Sequence, residues 1–268
     1  MLTINKYVKA KSLEEAYELN QARTARVMGG MMWMRLGGTR IQTIIDLSGL
    51  GLDQIEETED EFRIGAMCTL RRVEKHEGMK QVYGDEIAES VRHIVGVQFR
   101  NQATVGGSIY GRFGFSDVLT CLLALDTSVE LYNGGRMPLS EFVNKKRDKD
   151  ILVSVIIKKS GRKLKYAAVR QSQTDFPVLA CAVAAETIGD KMTWFFSVGA
   201  RPMRAALWEK EMQISKSVSK EDLEVCSREA AAEFTYATNM RGSSKYRRHL
   251  AEVLILRGMR SILAEEEE

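Results

Sequence analysis

Two glycine pairs, about eighty residues apart, constrain this chain more than any other feature. The first lies in Val27-Met28-Gly29-Gly30-Met31-Met32-Trp33, the second in Asn101-Gln102-Ala103-Thr104-Val105-Gly106-Gly107-Ser108. Glycine takes positive φ freely and lets the backbone come close to a ligand. Successive amides can then turn toward one point and form a concave anion site. Two such loops in one domain could hold the two halves of a diphosphate, which points to a dinucleotide and to a flavin. The plainer alternative is that each pair is an ordinary turn. The flanks favour the first reading. Ala25-Arg26-Val27-Met28 reads as a strand feeding the first turn, and Thr104 and Ser108 add hydroxyls at the second. Asp117 opens the apolar helix Val118-Leu119-Thr120-Cys121-Leu122-Leu123 and can serve as its N-cap.

The remaining chemistry is sparse. No G-x-G-x-x-G is present, since Gly49-Leu50-Gly51 is followed by Gln54 where the third glycine belongs. There is no Walker motif, no H-E-x-x-H and no nucleophile elbow. His76, His93 and His249 are scattered and read as surface or helix-end residues. Cys68, Cys121, Cys181 and Cys226 lack metal-ligand spacing and read as reduced core thiols, so no zinc or iron–sulfur site is expected. Any catalysis must therefore come from a bound cofactor that the protein holds and orients. The net charge of +3 and short basic stretches such as Lys145-Lys146-Arg147 suggest solvated faces and no nucleic-acid groove. No apolar run approaches the ~20 residues of a membrane helix, and Met1–Lys6 lack a signal-peptide pattern. A cytoplasmic protein without membrane contact is expected.

With 268 residues the chain can form one large domain or two ordinary ones. Ser12-Leu13-Glu14-Glu15 reads as a capping box, and a strand at Thr43–Leu47 completes a compact unit by about residue 53. Alternation predicts a strand over Glu61–Ala66, then helices near Leu70–His76 and Asp85–Ile94. Strands follow at Ser128–Tyr132 and Ile151–Ile157. The charged stretch Lys158–Lys163 marks a boundary, dividing the chain into residues 1–160 (subdomains 1–53 and 54–160) and 161–268. Beyond it come strands around Tyr166–Arg170, Val178–Glu186 and Met192–Val198, and a helix from Ser219 with Asp222 three residues on. A last helix carries Tyr246, Leu250, Val253 and Leu254 as an apolar stripe, before a frayed Glu265–Glu268 tail.

Thr104-Val105-Gly106-Gly107-Ser108-Ile109, with Ser116-Asp117-Val118-Leu119 and Leu123-Ala124-Leu125-Asp126, resembles the second FAD-binding stretch of the molybdenum hydroxylase flavoproteins. These are the medium subunits of the xanthine dehydrogenase and carbon monoxide dehydrogenase family. Gly29-Gly30 after a strand is similar to their first FAD loop. Val198-Gly199-Ala200-Arg201-Pro202 fits the start of their C-terminal domain, and Arg241–Arg248 resembles its closing signature. The resemblance implies an α+β chain: a two-subdomain FAD-binding fold of the p-cresol methylhydroxylase and vanillyl-alcohol oxidase type, plus a small α+β C-terminal domain. It also implies a large partner subunit with molybdopterin, a small one with [2Fe–2S] clusters, and electron delivery through FAD to NAD+ or another acceptor.

On this resemblance Met28, Gly29, Gly30, Met31, Met32 and Trp33 together with Thr104, Gly106, Gly107 and Ser108 would hold the diphosphate. Asp117 would bond a ribityl or ribose hydroxyl, and Arg112 and Phe113 would lie near the ring or the diphosphate. Phe113 and Phe115 beside Arg112 have the composition of interface anchors, with burial under the flavin loop as their alternative. The chain departs from the family pattern in several places. Met31-Met32 follow the first pair where Thr-Asp is usual, Ser108 replaces Asn, Gly111–Phe115 replaces an Ala/Pro stretch, and Ala167-Ala168 stand where a lysine often sits. Two rivals remain: a same-fold scaffold that has lost FAD, and a self-sufficient flavin oxidase of the vanillyl-alcohol type.

Overall fold

A computed structural model describes residues 2–213 and 219–267. The chain begins with β1 (Thr3–Lys9), α1 (Leu13–Asn20), β2 (Ala25–Met28) and β3 (Arg40–Asp46), and β3 lies in the middle of a three-stranded parallel sheet. Val27 pairs with Ile45 and Tyr7 with Ile44. The edge strand β1 escapes periodicity because its residues are almost all exposed, leaving no apolar alternation to read. Ser12 caps α1 by accepting from the Glu15 amide, but the Glu15 carboxylate turns back to the Lys11 amide and not to that of Ser12. The expected capping box is thus shifted by one residue on its return side.

A five-stranded antiparallel sheet follows in the order β4-β5-β8-β6-β7, built from β4 (Ile55–Glu57), β5 (Glu61–Gly65), β6 (Thr127–Leu131), β7 (Gly135–Pro138) and β8 (Leu152–Lys158). Between β5 and β6 the chain runs through six short helices: α2 (Leu70–Glu74), α3 (Glu77–Tyr83), α4 (Glu86–Arg92), α5 (Val97–Arg100), α6 (Val105–Tyr110) and α7 (Asp117–Leu123). An eighth, α8 (Leu139–Asn144), lies between β7 and β8. Strands β5, β6 and β8 of this sheet share one core with the helices, with Phe62, Ile64, Val105, Leu119, Val129 and Val155 in it. Every residue of α7 is buried, so no amphipathic stripe marks it.

The segment that leads to the second glycine pair is held by a buried ion pair. Arg100 Nε lies 2.7 Å from Glu74 Oε2, with both side chains more than nine-tenths buried. Burial opposes ionisation of Glu74, yet hydrogen bonds from Arg100 and Arg71 hold its carboxyl below the ordinary range. A carboxylate with a depressed folded pKa contributes stability above its unfolded pKa and loses it as pH falls through the folded value. Glu74→Gln is therefore expected to lower the urea midpoint at pH 7, and the difference from the parent should shrink steadily below about pH 4. A gap that stays constant down to acid pH would show that the pair contributes nothing through ionisation.

The C-terminal part is a four-stranded antiparallel sheet in the order β12-β11-β10-β9: β9 (Lys163–Arg170), β10 (Pro177–Ile188), β11 (Lys191–Gly199) and β12 (Ala206–Gln213). Sequence reading found the first three strands and missed β12, where charged and apolar residues alternate over a partly exposed edge. One face of this sheet carries α9 (Lys220–Glu233) and α10 (Ser244–Glu267), over a core of Leu179, Cys181, Val183, Trp194, Phe196, Ala230, Ile255 and Met259. The opposite face sends Ala182, Ala184 and Phe195 into the core of the first part. The capping box at Ser219 and Asp222 forms with both bonds. The α10 stripe is Ala251, Leu254, Ile255, Met259 and Ile262, whereas Tyr246 is half exposed and lies off it. Helix α10 continues through Glu267, and Glu265 pairs with Lys165, so the expected fray does not begin at Glu265; Glu268 lies outside the described residues.

All four cysteines are free and buried. Burial pushes the Cys68 and Cys226 thiols up to about 11 and those of Cys121 and Cys181 up to about 12. Among the described residues no group of His, Cys, Asp and Glu could hold a metal, and no helix is long and apolar enough to cross a membrane.

Candidate functional site

The two glycine pairs are brought together, but neither uses positive φ. In the first loop the left-handed residue is Met31, at φ 56°. The glycines serve close approach. A Cβ on Gly30 would stand 1.8 Å from the Gln102 carbonyl oxygen, and one on Gly29 would stand 2.7 Å from Thr104 Oγ1. The second pair is not a turn. Gly106 and Gly107 lie in the first turn of α6, and Thr104 caps the helix by accepting from the Gly107 amide at 3.1 Å. A Cβ on Gly106 would meet the Ala66 carbonyl oxygen at 2.5 Å, so this glycine lets α6 press against the end of β5.

This difference decides what each loop can offer an anion. The amides at the start of α6 are all engaged: Val105 donates to Cys68 O, Gly106 to Ala66 O, Gly107 to Thr104 Oγ1 and Ser108 to Thr104 O. The Ser108 hydroxyl also donates to Thr104 O. In the first loop, by contrast, the amides of Gly30, Met31, Met32 and Trp33 donate no hydrogen bond. Consecutive open amides around a left-handed residue form an anion-binding concavity. Amides left open in this way are what an anion needs, and the first loop rests on Gln102–Thr104 of the second. Met32 turns its side chain inward and is buried in the core, while the Met28 side chain is half-buried.

Trp33, which ends the first loop, sits in a cluster of aromatic rings. Its ring centroid lies 5.1 Å from Phe115, 5.3 Å from Phe176 and 6.3 Å from both Phe99 and Phe113. Phe113 and Phe115 stack at 5.2 Å. The Gly111–Phe115 insertion is fastened to the C-terminal part: the Ala200 amide donates to Gly114 O at 2.6 Å, and a Cβ on Gly114 would meet Met203 O at 2.8 Å. Phe115 is half-buried, and Phe113 remains 37% exposed. Arg112, at φ 46°, is buried; its guanidinium stacks on Phe142 and donates to Lys145 O. That side chain is committed beneath α8 and does not join the first-loop amides.

Asp117 is the first residue of α7, and the N-cap is Ser116, whose Oγ accepts from the Leu119 amide. This corrects the expected capping role of Asp117. Its carboxylate is buried against two residues of β9: Arg170 Nη2 lies 2.8 Å from Oδ1, and the Tyr166 hydroxyl donates to the same oxygen at 2.5 Å. Burial nevertheless holds the Asp117 carboxyl above its ordinary range, and it pushes the Tyr166 phenol up further. Tyr166, Ala167, Ala168 and Arg170, with Glu89 and His93 from α4 and its end, line a cleft of about 470 Å³. That volume lies within the usual range for small-molecule pockets. Arg170 also donates to Asp175 O, and the adjacent Phe176 packs on Trp33, so the 171–176 turn connects the cleft to the first loop.

In sequence His93 reads as a surface or helix-end residue, and it does end α4. Arg170 reads only as the end of a strand, because its partner Asp117 lies 53 positions away and it falls in no motif.

Residues 2–159 match the family described as FAD binding domain in molybdopterin dehydrogenase, and residues 164–262 match the CO dehydrogenase flavoprotein C-terminal domain. The chain is 24% identical to the nicotine 6-hydroxylase medium subunit of Paenarthrobacter nicotinovorans, over 94% of this chain and 95% of that protein. It is also 24% identical to the glyceraldehyde dehydrogenase medium chain of Sulfolobus acidocaldarius, over 96% and 97%. Its fold superposes on a chain of the carbon monoxide dehydrogenase from Hydrogenophaga pseudoflava with a TM-score of 0.83 and 21% identity, covering 97% of both. With its open-amide loop, its cleft and both domains matched in order, the chain belongs to the FAD-binding flavoprotein family of the molybdopterin dehydrogenases.

Proposed function

We propose that this chain is the FAD-binding electron-transfer subunit of a multi-subunit molybdenum hydroxylase. The observation that carries this reading is the run of open amides at Gly30–Trp33, connected through Phe176 and Arg170 to the Tyr166 cleft. The first loop would hold the diphosphate, with Gly29 and Gly30 allowing it to rest on Gln102–Thr104. The cleft would take the flavin ring. Both observed contacts of Asp117 use Oδ1, leaving Oδ2 to accept from a ribityl hydroxyl. The parallel and antiparallel sheets before residue 160 would be the two subdomains of a p-cresol methylhydroxylase type fold, and 161–268 its C-terminal domain.

FAD, when bound, supplies the redox chemistry; the chain binds it, orients it and sets its electrostatic surroundings. A large molybdopterin subunit would oxidise the substrate, a small [2Fe–2S] subunit would relay the electrons, and NAD+ or another acceptor would receive them, in the cytoplasm. The family match and the medium-subunit relatives support this assembly. The engaged amides of Val105–Ser108 favour one alternative, a scaffold subunit of the same fold without FAD.

A visible spectrum separates the two. The purified chain, as isolated or after addition of FAD, is expected to show the flavin band near ~450 nm. FMN, lacking the second phosphate, should bind at least tenfold more weakly. Equal affinity for FMN would remove the diphosphate site, and no flavin binding at all would favour the scaffold. Reduction of the bound flavin by reduced partner subunits would then test electron transfer.

A further inference from the structure

His93 lines the cleft beneath β9 together with Tyr166, Ala167, Ala168 and Arg170. We propose that His93 is a positioning residue for the flavin ring and takes up a proton when that ring gains negative charge. This rests on the reading of the cleft as the flavin-ring site.

The lining explains why the role falls to His93. Ala167 and Ala168 place no charge on the strand side of the cleft. Arg170 is a permanent cation already neutralised by Asp117 and further held by Asp175 O. Tyr166 is buried, donates to Asp117, and is held in its neutral form by burial and by that carboxylate. Glu89 is paired with Arg92 on its own helix. His93 closes α4, with Nε2 3.5 Å from Glu89 Oε2 and about a third of its side chain exposed. It also lies close enough to Asp117 of α7 to act on that carboxylate.

The turn that follows His93 is tied back to α4 and α5. Two residues on, Val95 takes φ 51°, a conformation a β-branched side chain rarely adopts. The turn is pinned by the Ile94 amide donating to Val91 O, and by Arg100 donating to Ile94 O. Strain of this kind persists only where the surroundings enforce it.

Histidine is the side chain whose charge changes most readily near neutral pH. Two electrons and one proton convert FAD to the anion FADH−; the electrons come from the iron–sulfur partner or, in a titration, from a mediator-coupled electrode. The resulting anionic ring would favour imidazolium at His93, which binds a second proton from solvent. Charge is then balanced within the cleft: two electrons enter with two protons, one on the ring and one on His93. The charged groups around His93 are Glu89, Asp117 and Arg170.

The test is the midpoint potential of the FAD-bound chain against pH in wild type, His93→Gln and His93→Lys. Each proton taken up changes the equilibrium tenfold per pH unit, about 30 mV for a two-electron couple. The wild type is expected to show a two-proton slope over part of the range scanned, and a one-proton slope throughout overturns the assignment. His93→Gln should show the one-proton slope, with a lower potential at the acid end. His93→Lys, a fixed cation, should keep the one-proton slope but restore the acid-end potential. If His93→Gln fails to fold, the lysine variant alone decides through its slope. An unchanged two-proton slope in a variant that binds FAD overturns this assignment and leaves the flavin reading intact. A wild type that binds no FAD overturns both.

Discussion

Gly30→Val is expected to abolish measurable FAD binding, with affinity falling by at least a hundredfold. Even the first added carbon would stand 1.8 Å from the Gln102 carbonyl oxygen, a backbone atom that cannot swing aside. The two loops must separate to admit it, and that displaces the open amides of Gly30–Trp33. Overpacking a fitted contact typically costs 1–3 kcal/mol. Gly107→Ala is the matching control. It sits in helical backbone, and its Cβ would meet only Thr104 Oγ1, at 3.2 Å, so FAD affinity should change less than tenfold. Titration of flavin fluorescence measures both. If Gly107→Ala were the more damaging of the two, the second pair and not the first would be the diphosphate site.

The second large effect is expected at Asp117. The ion pair with Arg170 joins α7 of the first part to β9 of the second, with side-chain exposures of 9% for Arg170 and 5% for Asp117. Removing one partner of such a pair strands a buried charge and typically costs about 3–5 kcal/mol. Asp117→Ala should therefore shift the urea unfolding transition by an amount in that range, and Arg170→Met by a similar amount. Replacing both together, Asp117→Leu with Arg170→Met, should recover most of the loss, since buried pairs often exchange for apolar residues at little net cost. Single variants within 1 kcal/mol of the parent would show that water reaches the pair and that the two parts are not held there.

The parts of the fold that were readable in sequence are those with a clear period and a clear face. Strands β3, β10 and β11 bury apolar residues in runs, and α9 announces itself by Ser219 and Asp222. The misses share a physical cause. An exposed parallel edge such as β1 is held by its neighbour's backbone and carries no apolar pattern. Helix α6 begins Val-Gly-Gly, which propensity counts against a helix, yet packing against Ala66 and the Thr104 cap impose one. At the site the glycines were legible as positions of close approach, but what they approach was not. Gly29 and Gly30 face the second loop whereas Gly106 faces the end of β5, and in the first loop it is Met31 that takes the left-handed conformation the glycines suggested. Asp117 was identified as a position of interest, but its pairing with Tyr166 and Arg170 connects residues about fifty positions apart, and no local spacing encodes that.

The two-faced C-terminal sheet has a consequence for how the chain is made. Strands β10 and β11 alternate their allegiance residue by residue. Cys181 and Val183 go to one core while Ala182 and Ala184 go to the other, and Trp194 and Phe195 divide in the same way. On a ribosome, the portion up to residue 160 emerges before the strands that cover α7 exist. Leu119, Leu122 and Leu123 must then wait with part of their surface uncovered until Phe195 arrives. Domains that can close their cores fold as they are synthesised. The core shared by α7 and β10–β11 can close fully only once those strands have been translated, so until then the nascent chain would carry an uncovered apolar face that chaperones could shield.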